Sequence, residues 1–123
     1  MEEKANKFVF EVASALEGTI VELTQKKFDE HIVVNHPEMK GHEKDIEKTI
    51  KSPNIIRIAK IKPEKRLEFI RKADKTEFSA YNNVMVEYND ENKDRAHVLT
   101  SFYSEKIGSG GGSYVYINYK NSI

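Results

Sequence analysis

Cysteine is absent from the chain, which excludes a disulfide framework, a thiolate zinc site and thiol nucleophile chemistry, and leaves the redox compartment open. Long apolar runs are absent too, and the N-terminus opens Met-Glu-Glu-Lys, so neither a membrane span nor a secretory signal is expected. A toxin module cut from a longer secreted polypeptide would share these features. An excess of either charge is missing as well: Lys plus Arg and Asp plus Glu stand at 20 each, so no overall positive field draws the protein onto nucleic acid. Any such binding must rely on local charge. The charges do segregate, because residues 60–75 carry Lys60, Lys62, Lys65, Arg66, Arg71, Lys72 and Lys75 against three acidic residues, a pattern that also suits a solvated hairpin.

What is present fits one domain over residues 1–123, with 38% hydrophobic residues, six Phe and six Tyr for a modest core. In residues 1–23 Phe8, Phe10 and Val12 alternate with their neighbours, and Thr19 to Leu23 repeats that two-residue period after Glu17-Gly18, predicting a strand pair. Helix competes there, since Glu3 to Leu16 is rich in Ala, Glu and Lys. Helices are expected over 24–52. Thr24 is placed as an N-cap, and Phe28, His31, Ile32 and Asn35 follow on one helical face, so His31 points at or beside the core. Pro37 disfavours helical geometry at His36, which should leave the helix at its C-terminal end. A second helix follows Gly41 and runs to Lys51, with Ile46, Thr49 and Ile50 inward.

Over 54–119 the period becomes two, with strands predicted at Asn54–Ile61, Arg66–Lys72, Asn83–Tyr88, Arg95–Tyr103 and Tyr114–Tyr119. Helices first and strands after predict an α+β fold in which N-terminal helices pack on an antiparallel sheet of four or five strands. The run Gly108-Ser-Gly-Gly-Gly-Ser113 reads as a mobile substrate loop, a plain hairpin connection or a fusion scar, and it does not match a phosphate-binding P-loop.

The side chains able to carry chemistry converge on phosphodiester handling. Histidine changes charge nearest neutral pH, and His31 and His36 share one helix end. Arg57 supplies a cation, while Thr100, Ser101 and Tyr103 supply hydroxyls on one strand. Strict alternation places Thr100 with Ala96, Val98 and Phe102, facing the helices and meeting His31, and places Ser101 and Tyr103 with His97 and Leu99. His42 and His97 are weaker candidates. His31, His36, Glu38 and His42 cluster in sequence, but His31 and His36 are not at the four-residue spacing of a His-Glu-x-x-His site, so no metal and no cofactor is expected.

The pattern His31-Ile-x4-His36-Pro-Glu, then Ile46-x2-Thr-Ile50-x2-Pro53-x2-Ile56, then Val98-Leu-Thr100 with Tyr103 nearby, resembles the phage-associated domains of the barnase, EndoU, colicin and RelE nuclease superfamily over about Thr19 to Tyr103. The resemblance implies a barnase-like fold and a metal-independent endoribonuclease, deployed as a phage or bacterial toxin. It implies His31, His36, Arg57, Thr100 and Tyr103 as catalytic residues, an RNA substrate, and a cognate immunity or antitoxin protein as partner. It further implies action in the cytoplasm, or delivery to that of a target cell within a larger polypeptide. The even charge balance departs from the basic surface usual in such nucleases. An alternative is a noncatalytic protein-binding module on the same fold, presenting Tyr114, Tyr116 and Tyr119 to a partner.

Overall fold

A computed structural model describes residues 7–73, 81–109 and 111–118; Lys75 and Tyr119 lie outside them, as does the start of the competing N-terminal helix. The chain forms β1 (Phe8–Ala13), β2 (Ile20–Thr24), a helical stretch α1 over 25–35, a 3₁₀ turn (Pro37–Met39), α2 (Glu43–Lys51), β3 (Ile55–Ile58), β4 (Arg66–Lys72), β5 (Tyr81–Tyr88), β6 (Arg95–Ser104) and β7 (Tyr114–Ile117). All seven strands join one sheet in the order β1-β2-β6-β5-β4-β3-β7. Every neighbouring pair is antiparallel except β2 with β6, which run parallel.

This corrects the expected architecture. The protein is α+β but dominated by a seven-stranded mixed sheet, with two short helices inserted between β2 and β3, rather than helices leading into an antiparallel sheet of four or five strands. The physical reason lies in β1 and β2, whose alternating side chains Phe10, Val21 and Leu23 are buried in the common core. A strand pair contributing that much apolar surface is an integral part of the sheet.

Strand register assigns the two faces. Directly opposed residues share a face, so Ile56, Phe69, Val84 and Ser101 form one row, and Ile58, Leu67, Val86 and Val98 another. Both rows face the helices, where Phe28, Ile32, Met39, Ile46 and Ile50 complete the core. Thr24 caps α1 as expected, its Oγ1 accepting from the Lys27 N–H at 3.1 Å. His36 ends the helix in a non-helical conformation before Pro37. Within α1 the middle turn, Phe28–Ile32, is π-helical.

Candidate functional site

One extra residue in β6 decides where the candidate side chains point. Val86 opposes Val98, but Met85 opposes Thr100, so Leu99 is a β-bulge and the alternation reverses behind it. The expected facing of Thr100 and Phe102 toward the helices is therefore corrected: both lie on the opposite, open face, while Ser101 and Tyr103 face the helices. Thr100 does not meet His31 beneath the helix layer. It stands instead in a row with Arg57, since Arg57 opposes Glu68, Glu68 opposes Met85, and Met85 opposes Thr100.

Arg57 is the anchor of that face. It is 6% exposed, its Nε donates to Glu68 Oε1 at 2.8 Å, and its Nη1 donates to the Gly108 carbonyl at 2.7 Å. The second bond draws the segment after β6 across the sheet. Gly111 then passes so close to the guanidinium that a Cβ there would collide with Nε, Cδ and Cζ. Gly112 continues the contact, donating its N–H to the Ile58 carbonyl at 2.7 Å. Gly108, Gly111 and Gly112 thus belong to a strap held to β3, and it is not a plain hairpin connection, since β7 pairs with β3 and not with β6.

Between strap and sheet lies a pocket of about 330 Å³, lined among others by Arg57, Lys60, Arg66, Lys106 and the single carboxylate Glu68. Four cations against one carboxylate make a local positive field inside a chain of zero net charge. Arg66 is held at 2.8 Å by Glu87, the next carboxylate along the face. Apolar surface comes from Met85 and Phe102.

Phe102 connects the pocket to His36. Because β2 stops at Thr24, α1 and the following 3₁₀ turn lie against β6, and His36 stacks on the Phe102 ring with centroids 5.4 Å apart and planes at 30°. His36 Nδ1 is 3.8 Å from Glu38 Oε2. A second imidazole on the open face is His97, which opposes Glu87. Burial holds His97 below the usual imidazole pKa, partly offset by the Glu87 carboxylate, and its Nδ1 sits 2.7 Å from Asn89 Oδ1.

The opposite face carries a separate buried polar network. The Tyr103 hydroxyl donates to Asp45 Oδ2, Arg71 Nη2 lies 3.5 Å from Asp45 Oδ1, and Arg71 Nε donates to Thr49 Oγ1 at 3.2 Å. Thr49 Oγ1 is 2.8 Å from Asn82 Oδ1, and Asn82 Nδ2 donates to Ser101 Oγ at 3.1 Å. His42 packs edge-on against Tyr103 at 5.6 Å, with Nδ1 3.6 Å from Asp45. Burial, the bond to Asp45 and its negative charge together raise the Tyr103 pKa far above the ordinary phenol value. The network joins α2 to the sheet.

Of the residues expected to act together, the fold brings Arg57 and Thr100 onto one face and seats His36 against its Phe102. Tyr103 points to the other side. His31 is exposed, correcting its expected position at or beside the core. A π turn holds more residues than the 3.6 of an α turn, so a residue three places after Phe28 falls behind the buried stripe while Ile32 stays on it. Sequence reasoning passed over Phe102 and Asn83 and ranked His97 low. Their signal was the strand period itself, read across a bulge that periodicity does not mark.

Among the described residues no group of three or more His, Asp or Glu is placed to hold a metal ion, and no helix is long and apolar enough to cross a membrane. Comparison with family models, with curated proteins and with solved structures yields no match of any of the three kinds.

Proposed function

We propose that the protein is a metal-independent endoribonuclease whose substrate lies across the open face of the sheet. The observation that carries this reading is the convergence of Arg57, Lys60 and Lys106 around one pocket, with Thr100 in the same row of the sheet as Arg57 and His36 stacked on the Phe102 that lines the pocket. RNA supplies its own nucleophile in the 2′-hydroxyl, so cleavage needs proton transfer and charge stabilisation at the phosphate. The unprotonated imidazole of one histidine removes the 2′ proton, and a protonated imidazole delivers one to the departing 5′ oxygen, each step contributing about 10²–10⁴-fold. His36, stacked on the Phe102 that lines the pocket, is one proton-transfer group, and His97 is the second imidazole, on the open face. The pocket cations stabilise the added negative charge of the phosphorane. In this reading the protein acts on RNA in a cytoplasm, its own cell's or a target cell's, and a cognate immunity or antitoxin protein is its protein partner.

The test is incubation of the purified protein with total RNA in EDTA, with His36→Ala, His97→Ala and Arg57→Ala variants checked for native circular dichroism. Products ending in 2′,3′-cyclic phosphate, lost in His36→Ala, are expected. RNA left intact by the wild type would overturn the reading.

One observation favours the second reading, a noncatalytic protein-binding module. β7 is an edge strand that leaves Tyr114, Val115 and Ile117 at 50%, 44% and 37% exposure. Unpaired backbone beside apolar side chains suits strand addition by a protein partner. Cleavage of an RNA panel would count against it, and a complex lost on substituting Tyr114 and Val115 by Lys would favour it.

A further inference from the structure

We infer that the open-face pocket is a nucleotide subsite in which Asn83 Oδ1 accepts a hydrogen bond from an N–H on the base edge, Phe102 and Met85 cover the base, and Lys60 and Lys106 take the phosphate. The inference deepens the ribonuclease reading and rests on it for the class of ligand.

Asn83 is 4% exposed and lines the pocket. Its Nδ2 faces three acceptors: the Tyr81 carbonyl at 3.3 Å, the Phe102 carbonyl at 3.4 Å and Ser104 Oγ at 2.8 Å. Two of these are carbonyls, which can only accept. The third is committed in the same sense, because the Ser104 hydroxyl spends its proton on the Lys106 carbonyl at 2.9 Å. The amide orientation is therefore determined, with the donor end toward the strands and turn. Oδ1 receives no hydrogen bond from the protein among the described residues. Asn83 lines the pocket and its amide is held by these bonds, so Oδ1 presents an acceptor of fixed direction to a donor on a ligand.

The remaining features select the ligand. Small-molecule sites occupy about 300–1,000 Å³ and combine apolar walls with few polar groups, and this pocket of about 330 Å³ has room for a single nucleotide. An aromatic ring offers a stacking surface to any base, and stacking alone is tolerant of sequence. Asn83 would add a requirement for a base N–H that stacking lacks. Arg57 is already engaged by Glu68 and Gly108 and Arg66 by Glu87, so Lys60 and Lys106 are the pocket cations left to the phosphate.

The experiment is a titration of the isotopically labelled full chain with AMP, UMP, their counterparts lacking the edge donor (purine riboside 5′-monophosphate and 3-methyluridine 5′-monophosphate), and inorganic phosphate. Amide shifts of Asn83, Ser104 and Gly108 report the site. At least one natural nucleotide is expected to bind about tenfold or more tighter than its donor-stripped counterpart, with inorganic phosphate weaker still. Phe102→Leu should weaken both members of the pair in parallel, and Asn83→Ala should erase the difference between them. Should Asn83→Ala not fold, the wild-type pairs and Phe102→Leu decide. Equal binding within both pairs, or no shifts at these amides, overturns the inference. RNA cleavage in EDTA is read separately on the same samples. Cleavage without donor selectivity overturns the subsite alone, whereas selectivity without cleavage supports the nucleotide site and overturns the nuclease reading.

Discussion

Tyr103 on β6 donates its hydroxyl proton to Asp45 on α2, and this contact joins the only long α-helical run among the described residues to the strand that also carries Thr100 and Phe102. The two sides of β6 are thereby specialised, one for holding the helix and the other for the pocket.

Tyr103→Phe should cost about 1–2 kcal/mol in urea denaturation at neutral pH, since it leaves the Asp45 carboxylate short of one donor. The pH dependence has a definite sign. The folded-state pKa of Tyr103 is raised above its unfolded value, so its contribution is complete below about pH 10 and is lost as pH climbs through the folded value. Denaturation from pH 8 to pH 11 should show a decline above pH 10 that is smaller in Tyr103→Phe.

Thr100→Val should be neutral or stabilise the fold by about 1 kcal/mol, because Thr100 Oγ1 is buried without a hydrogen-bond partner among the described residues and a methyl group removes that cost. Under the ribonuclease reading the same variant keeps its cleavage, since a hydroxyl closed to solvent does not reach the phosphate. Thermal unfolding and an RNA time course measure the two effects.

Gly111→Ala should displace the Arg57 guanidinium from Glu68 and Gly108, costing about 1–3 kcal/mol. Limited proteolysis should then cut residues 105–113 faster than in the wild type. Gly108→Ala is the control, since nothing lies within 4 Å of a Cβ there. Equal protection in both variants would show that the strap does not depend on Arg57.

His97 sets an acid-side dependence. Its folded pKa is lowered, so its contribution is complete above the unfolded imidazole value of about 6.5 and is lost as pH falls from there toward the folded value. Replacing it by Gln should flatten denaturant midpoints between pH 7 and pH 5. A two-dimensional NMR titration should place His97 below the ordinary imidazole value of about 6.5.

Much of the fold could be read locally. Arg66–Lys72 is a strand with the expected limits, Thr24 and Lys51 bound the helical region, and Ile46, Thr49 and Ile50 are buried as their spacing implies. What escaped was non-local. The bulge at Leu99 exists only relative to Met85 and Val86 on the neighbouring strand, so no period within β6 announces it. The π turn that exposes His31 depends on how α1 meets β6, and the place of β7 beside β3 depends on a strap that passes β5, β4 and β3. The site was legible to the same degree: the cation, one histidine and the strand hydroxyl could be named, but which face each would occupy could not.

The parallel pairing of β2 with β6 has a consequence for how the molecule comes into being. Ile20, Val21 and Glu22 find their partners at Arg95, Ala96 and His97, so the β1–β2 hairpin waits for a strand made after β3, β4 and β5. Such distant closures are slow steps. α1 leaves directly from β2, and until that closure His36 has no Phe102 to rest on. A nascent chain shorter than this strand therefore carries the histidine without its platform, and assembly of the site belongs to the last stage of folding.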